Sequence, residues 1–326
     1  MKYLILSDTH IAPERVGGTT NQSRIALDDH LFGRLRYTIE TVPHDCLIIV
    51  GDFFARYSAG DKAILDSYLT LRQENAIILR GNHDSLSHKL GHISSLELLG
   101  SLLDNTVLVF DKPELIHGMY FLPHVFDQDL FNKYVEEIPD NVVCFMHCNF
   151  ANSFSEHADH SLNLSTDQYK KLKARGIELV LGHEHGRREL EQLHIVGCHW
   201  PTSISDCLSG SKQCLVYDSE TKTFESIETW NAGADYIEMH WSEITETPHS
   251  FVRVVGECEV IEYPNVARSI ARLRKTSNAF VVANAVKIIV KEREVVEREE
   301  ITGFNILELL LENVDEEFRE EIKVCI

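Results

Sequence analysis

Short apolar runs recur through the first 218 residues, and longer amphipathic stretches separate them. The runs occupy residues 3–6, 46–50, 76–79, 107–110, 119–122, 142–146, 179–181, 194–196 and 214–217. Their length and β-branched content favour buried strands. The stretches between them include helix-like segments at 24–42, 62–72, 95–103 and 167–175. This alternation predicts an α/β layered fold.

The composition is that of an ordinary globular protein, with 44% hydrophobic and 25% charged residues among 326. No apolar run approaches the about 20 residues that a membrane span requires. The eight cysteines form no CxxC pair, so we expect reduced thiols and a cytoplasmic protein with no membrane association. The net charge of −20 argues against a protein that binds nucleic acid tightly without a partner.

The pattern changes after residue 230, and we predict four regions: a main domain at 1–230, a linker at 231–248, a small α+β module at 249–292 and an acidic helical tail at 293–326. Within the module, 251–258 and 280–290 look like strands and 264–275 like a helix. That helix carries Arg268, Arg272 and Lys275 on one face. They form either a solvated surface or a contact with nucleic-acid phosphates.

The tail repeats apolar residues at helical spacing beside a charged face. The members of this stripe are Ile306, Leu310, Val314, Phe318 and Ile322. Two interpretations stay open, packing on the protein's own domain and docking on the helices of a partner.

Polar clusters follow five of the apolar runs directly. They are Asp8-Thr-His10, Gly51-Asp52, Gly81-Asn-His-Asp84, His147 and Gly182-His-Glu-His185. In open α/β sheets, ligands bind at the carboxyl ends of the strands. We therefore expect the five clusters to converge on one edge.

The residue types in these clusters indicate a metal centre. They comprise two carboxylates, one amide oxygen and four imidazoles, from Asp8, His10, Asp52, Asn82, His147, His183 and His185. Seven donors are too many for one ion. Oxygen and nitrogen donors without sulfur suit Mn, Fe, Zn or Co, and two ions that share one carboxylate would use all seven.

The ordered series Asp8-x-His10, Gly51-Asp52, Gly81-Asn-His-Asp84, His147 and Gly182-His-x-His185 resembles the calcineurin-type metallophosphoesterases over about residues 1–220. The resemblance implies a two-sheet α/β sandwich flanked by helices, with two divalent cations at one edge. By it, Asp8, His10 and His185 would hold the first cation. Asn82, His147 and His183 would hold the second, and Asp52 would bridge them.

The resemblance also implies phosphoester hydrolysis, with a water activated by the cations. His83 would act as the general acid that protonates the leaving group, and Asp84 would orient the His83 ring. The alternative for His83 is a purely structural role beside the ligands. One departure from the family pattern is Ala55, which stands where the second motif usually continues with a polar residue.

Within the superfamily, the motifs resemble the nuclease subunits of SbcCD-type and large-bacteriophage recombination complexes. That resemblance implies a DNA exonuclease or endonuclease acting in double-strand-break repair or recombination, with Mn²⁺ as the expected metal. It implies DNA, a coiled-coil SbcC-type ATPase and a second copy of the chain as partners. In that case the module would cap DNA, the tail would bind the ATPase, and the ATPase would supply much of the positive charge. A small-molecule phosphodiesterase or a phosphoprotein phosphatase is the main alternative, and a scaffold without activity is a third.

Overall fold

A computed structural model describes residues 1–13, 17–84, 93–152 and 162–289. The strands of these residues, in chain order, are β1 (Lys2–Leu6), β2 (Cys46–Val50), β3 (Ala76–Leu79), β4 (Thr106–Val109), β5 (Glu114–Ile116), β6 (Met119–Leu122), β7 (Val143–His147), β8 (Asn149–Phe150), β9 (Asn163–Leu164), β10 (Glu178–Gly182), β11 (Arg188–Leu190), β12 (Leu193–Ile195), β13 (Lys212–Asp218), β14 (Thr223–Trp230), β15 (Tyr236–His240), β16 (Phe251–Val255), β17 (Glu257–Glu259), β18 (Val281–Asn284) and β19 (Lys287–Ile289).

The helices of the same residues are α1 (Asn21–Thr41), α2 (Asp61–Leu71), α3 (Ser95–Leu102), α4 (Gln128–Glu136), α5 (Thr166–Ala174), α6 (Ile204–Leu208), α7 (Ala232–Asp235) and α8 (Tyr263–Thr276), with a 3-10 turn at Trp241–Glu243. None of these helices has the length and apolar content to cross a membrane.

Several helices begin where the sequence supplies a capping box, in which two residues satisfy each other's free backbone donors. In α3 the Ser94 hydroxyl accepts from the Glu97 backbone N–H at 3.1 Å, and the Glu97 carboxylate accepts from the Ser94 N–H at 2.8 Å. The same exchange joins Ser203 and Asp206 at the start of α6. These local signals fix the ends of helices that the apolar periodicity locates only approximately.

Two six-stranded sheets form the centre of the protein, which confirms the predicted sandwich. The first sheet has the order β14-β13-β1-β2-β3-β4, and the second has the order β11-β12-β10-β7-β6-β5. In the first sheet β1 to β4 are parallel, and in the second β6, β7, β10 and β12 are parallel. The strands that precede the polar clusters therefore end at a common edge of each sheet.

Alternating side chains of each strand enter different cores, which produces a four-layer architecture. In β1, Tyr3 and Ile5 lie in the core between the sheets, while Leu4 and Leu6 pack under α1. The outer face of the second sheet packs against α4 and α5, for example through Phe131 of α4. Both sheets are thus covered on both faces, as parallel strands require.

Residues 231–248, which we predicted to be a linker, instead contain regular structure. They form α7 and β15, and β15 pairs in parallel with β16 from Tyr236↔Phe251 to His240↔Val255. The prediction was wrong because β15 is short and half-exposed, so its sequence lacks the apolar run that marks the buried strands.

The C-terminal module packs directly on the main domain. Its sheet has the order β15-β16-β18, with α8 burying Val266, Ile270 and Leu273. Phe251 and Val281 of this module lie in the same core as Trp230 of the main domain. The predicted tail at 293–326, with its apolar stripe, lies outside the described residues.

Candidate metal centre

The polar clusters follow strands of both sheets at the point where the backbone leaves each strand. Asp8, His10, Asp52 and His183 all have a positive φ, of 48°, 43°, 51° and 88°. Side chains other than glycine rarely adopt this left-handed conformation, which costs of order 1–3 kcal/mol and is concentrated at functional sites. The backbone strain turns these four side chains toward one another.

Glycines in the motifs permit close contacts at this edge, within the first sheet at Gly81 and between the two sheets at Gly182. A Cβ atom on Gly81 would lie 2.1 Å from the Asp52 Oδ1 atom, and one on Gly182 would lie 2.1 Å from the Val50 carbonyl oxygen. Neither position has room for a side chain. The glycine of each motif is therefore needed for packing beside the polar residue that follows it.

The first group of converging donors contains Asp8, His10 and His185, whose ligand-capable atoms all lie within 4.8 Å of one another. The Nε2 atoms of His10 and His185 are 3.0 Å apart. Asp8 uses its Oδ2 atom to accept from the Ser7 hydroxyl at 2.5 Å and from the His183 backbone N–H at 3.0 Å. Its Oδ1 atom is buried without a hydrogen-bond partner.

The second group contains Asp52, His147 and His183, also within 4.8 Å, and Asn82 joins it. The Asn82 Oδ1 atom lies 3.0 Å from His147 Nε2 and 2.9 Å from His183 Nδ1. His147 Nδ1 donates to the Val50 carbonyl at 2.8 Å, so its Nε2 atom faces the cluster.

Asp52 lies between the two groups. Its Oδ2 atom is 3.9 Å from His10 Nε2 in the first group and 3.3 Å from His147 Nε2 in the second. Its Oδ1 atom accepts from the His83 backbone N–H at 2.9 Å, which fixes the carboxylate plane. This is the position that a bridging carboxylate requires.

Burial and charge at the cluster suit cations. Burial lowers the pKa of His10 and His183 to about 4, so both imidazoles are neutral at pH 7 and offer lone pairs. Burial opposes the charging of His147, but the adjacent Asp52 carboxylate raises the pKa of His147 to about 9. The neutral rings of His10 and His183, the carboxylates and the partnerless Asp8 Oδ1 atom fit divalent cations, and a cation bound at His147 would displace the proton of that ring.

His83 lies beside the cluster and is exposed to solvent. Its Nδ1 atom donates to the Ala55 backbone carbonyl at 2.9 Å, so Nε2 is the ring nitrogen that remains for other contacts. Its ring meets the His10 ring edge-on, with centroids 5.2 Å apart. The main chain of residue 55 thus holds the ring, and the absence of a polar side chain there does not remove this anchor.

The family model of the calcineurin-like phosphoesterases matches residues 1–187 of the chain. The chain belongs to this family. Among solved structures it is similar to an archaeal phosphodiesterase, with 19% identity over 70% of this chain and 99% of the other and a TM-score of 0.37. It is also similar to a protein of unknown function from Aquifex aeolicus, with 17% identity, 60% and 82% coverage and a TM-score of 0.29. No curated protein matches the sequence.

Asp84, which we expected to orient the His83 ring of this phosphoesterase, has a different role. Its fully buried carboxylate accepts from the Gly81 N–H at 2.8 Å and from the Phe54 N–H at 3.2 Å. Burial, with the charge of nearby Asp52, raises the pKa of Asp84 to about 7. Asp84 therefore links two motif loops through their backbone, while the His83 ring is held by the Ala55 carbonyl.

Sequence reasoning missed two residues near the metal centre, Asp206 and Lys212. The Asp206 Oδ1 atom lies 2.6 Å from His185 Nδ1, and Lys212 Nζ donates to the His185 carbonyl at 3.0 Å. Both lie more than 20 positions beyond His185, outside any motif. One weak signal for Lys212 exists in the sequence, where it stands two residues before the apolar run at 214–217. In the structure it is 2% exposed.

Arg268, Arg272 and Lys275 lie on the exposed face of α8, in the C-terminal module and not among the converging donors. Arg268 bonds locally to the Pro264 carbonyl and to Asn265. Among the described residues, no carboxylate forms an ion pair with any of the three.

Proposed function

We propose that this phosphoesterase is a dinuclear metal-dependent DNA nuclease, of the kind that works with a coiled-coil ATPase in double-strand-break repair or recombination. The observation that carries the proposal is the convergence of seven donors, with Asp52 between the other six, at an edge where His83 is exposed. Mn²⁺ is the metal we propose, in a cytoplasmic protein that forms a homodimer.

In this proposal Asp8, His10 and His185 hold one cation, Asn82, His147 and His183 hold the other, and Asp52 bridges them. Two cations bound there would supply an activated water and positive charge at the scissile phosphate.

His83 would donate a proton from Nε2 to the leaving alkoxide, since its Nδ1 atom is fixed on the Ala55 carbonyl. Because this imidazole is exposed, a long polymer backbone can reach it without entering an enclosed pocket.

The basic face of α8 would contact DNA phosphates. Arg268, Arg272 and Lys275 are exposed and are not paired with any described carboxylate, so they remain available to a phosphate. The rest of the surface is expected to repel DNA, since the chain has a net charge of −20. We therefore expect weak DNA affinity from the isolated chain and a rise in cleavage when the ATPase partner supplies further cations.

The deciding experiment incubates the chain with Mn²⁺ and four substrates in parallel: linear duplex DNA, single-stranded DNA, bis-p-nitrophenyl phosphate and a phosphopeptide. A nuclease degrades DNA, and the His83→Ala variant loses that activity while it keeps its metals. Turnover of the phosphopeptide beside intact DNA would instead favour a phosphoprotein phosphatase. Hydrolysis of only the small diester would favour a small-molecule phosphodiesterase.

The role of α8 is tested with a triple Ala variant of Arg268, Arg272 and Lys275. We expect DNA cleavage to fall and the salt dependence of DNA binding to become shallower, while hydrolysis of bis-p-nitrophenyl phosphate stays unchanged. A matched triple Ala variant of Lys112, Lys133 and Lys171 removes the same charge from exposed positions in the main domain. Equal losses in the two variants would show that only net charge matters.

A further inference from the structure

His185 is held from several directions by one segment, residues 198–212, which follows the part of the chain that the family model matches. Its carbonyl oxygen accepts from the Cys198 backbone N–H at 3.2 Å and from Lys212 Nζ at 3.0 Å. Its ring Nδ1 atom lies 2.6 Å from Asp206 Oδ1. Its Nε2 atom is thereby left facing His10.

The Asp206 carboxylate is itself rigidly held. Its Oδ2 atom accepts from the Thr202 N–H at 2.8 Å, the Thr202 hydroxyl at 3.0 Å and the Ser203 N–H at 2.9 Å. The residue is 3% exposed. A buried carboxylate that three donors hold in place is the kind of acceptor that fixes an imidazole.

A third cation between His185, Cys198 and Asp206 is the competing explanation, because their donor atoms also lie within 4.8 Å. Two observations oppose it. Donors at about 2.0–2.2 Å from a single ion lie about 3 Å or more apart, whereas His185 Nδ1 and Asp206 Oδ1 are 2.6 Å apart, which suits a charge-assisted hydrogen bond. The other Asp206 oxygen, Oδ2, already accepts three hydrogen bonds from Thr202 and Ser203, so neither carboxylate oxygen is left for an ion at this position.

We infer that Asp206 is a positioning residue for the metal centre: it fixes the proton of His185 on Nδ1 and the ring plane, so that Nε2 presents its lone pair to the first cation. This inference rests on the dinuclear centre of the proposed function. Partners of this kind are typically worth about 10–100-fold in metal affinity. The segment that supplies Asp206 would then complete a site whose ligands all come from the first 187 residues.

The test measures metal binding, not cleavage. The metal-free full chain is titrated with Mn²⁺ by calorimetry, and the bound Mn²⁺ is examined by electron paramagnetic resonance. We expect the wild type to bind two ions and to give an exchange-coupled signal. In Asp206→Asn, one of the two sites should weaken about 10–100-fold. At Mn²⁺ concentrations that fill both wild-type sites, the variant should give the six-line signal of an isolated ion.

Glu97→Gln is the matched control. Glu97 occupies the same capping-box position in α3 that Asp206 occupies in α6, but it contacts no proposed ligand. We expect its Mn²⁺ titration to match the wild type. If Asp206→Asn does not fold, the Thr202→Val variant replaces it in the test, since this variant keeps the Asp206 carboxylate and removes one of its hydrogen bonds. We expect the affinity of Thr202→Val for one of the two Mn²⁺ ions to fall about threefold.

Unchanged binding of two ions by Asp206→Asn would overturn the inference, as would three ions in the wild type. Because the readout is metal binding, a wild-type chain that binds two Mn²⁺ but leaves DNA intact would refute the nuclease proposal alone.

Discussion

The two sheets make different contributions to the metal centre. The first sheet provides both carboxylates and the amide, through Asp8, Asp52 and Asn82, together with His10. The second sheet provides imidazoles only. Moreover, two of the second sheet's three histidines contact the first sheet: His147 donates to the Val50 carbonyl, and the His183 N–H donates to Asp8. The third, His185, contacts Asp206 of α6. The negative charge thus originates in the first sheet, and the donors converge only where the two sheets pack.

The largest expected effect comes from removing the charge that joins the two groups, in Asp52→Asn. Each cation contributes several kcal/mol of transition-state stabilisation, so we expect hydrolysis of bis-p-nitrophenyl phosphate to fall about 10⁴-fold. The measurement is kcat/KM together with Mn²⁺ stoichiometry. A variant that retains two Mn²⁺ and near wild-type rates would show that the first sheet does not dominate the charge of the centre.

His83→Gln separates proton transfer from metal binding. The residue lies at the end of the first sheet but donates no atom to the two groups of ligands. We expect kcat for DNA cleavage to fall about 10²–10⁴-fold, the usual contribution of a general acid, with Mn²⁺ binding unchanged. Substrates with a good leaving group, such as bis-p-nitrophenyl phosphate, should be much less affected. An equal loss on both substrates would contradict the role as an acid.

Gly51→Ala tests the contact between the sheets. A Cβ atom there would lie 2.2 Å from His147 Nδ1, and φ is 83°. We expect the metal-free protein to lose about 3 kcal/mol of unfolding free energy in urea, from strain and overpacking together. Gly118→Ala is the control, since its φ of 78° imposes similar strain but nothing lies within 4 Å. We expect Gly118→Ala to lose only about 1–2 kcal/mol of unfolding free energy. Equal losses in Gly51→Ala and Gly118→Ala would mean that the two sheets can move apart at this contact without cost.

The smallest effect concerns acid stability. Burial lowers the pKa of His199 to about 4, below the 6.5 of an unfolded histidine. The contribution of His199 to the free energy of unfolding is therefore fully present above pH 6.5. It is lost as the pH drops from 6.5 toward 4, because only the unfolded chain gains this proton. We measure the free energy of unfolding at pH 7 and at pH 5, in the presence of a metal chelator. Over this range we expect the free energy of unfolding of His199→Gln to fall by about 2 kcal/mol less than that of the wild type. Parallel pH profiles would show that His199 accepts a proton without unfolding.

The sequence was informative where a residue's neighbours along the chain decide its position. The apolar runs identified most strands, and Gly81-Asn82-His83-Asp84 identified a strand end with its ligands. The sequence failed where the decisive neighbour is distant. Asp84 looked like a partner of the adjacent His83 but faces the backbone of Phe54, and His83 is held by Ala55. β15 was missed because it is stabilised by pairing with β16, not by its own apolar content.

The sequence by itself determined the fold class and the set of candidate donors, because strand period and donor chemistry are properties of short segments. Only the tertiary structure decided how the ligands divide between two sheets, which atom of each imidazole faces the cluster, and that Asp206 and Lys212 hold His185. Those features depend on hydrogen bonds between residues far apart in the chain, and no local pattern encodes such a distance.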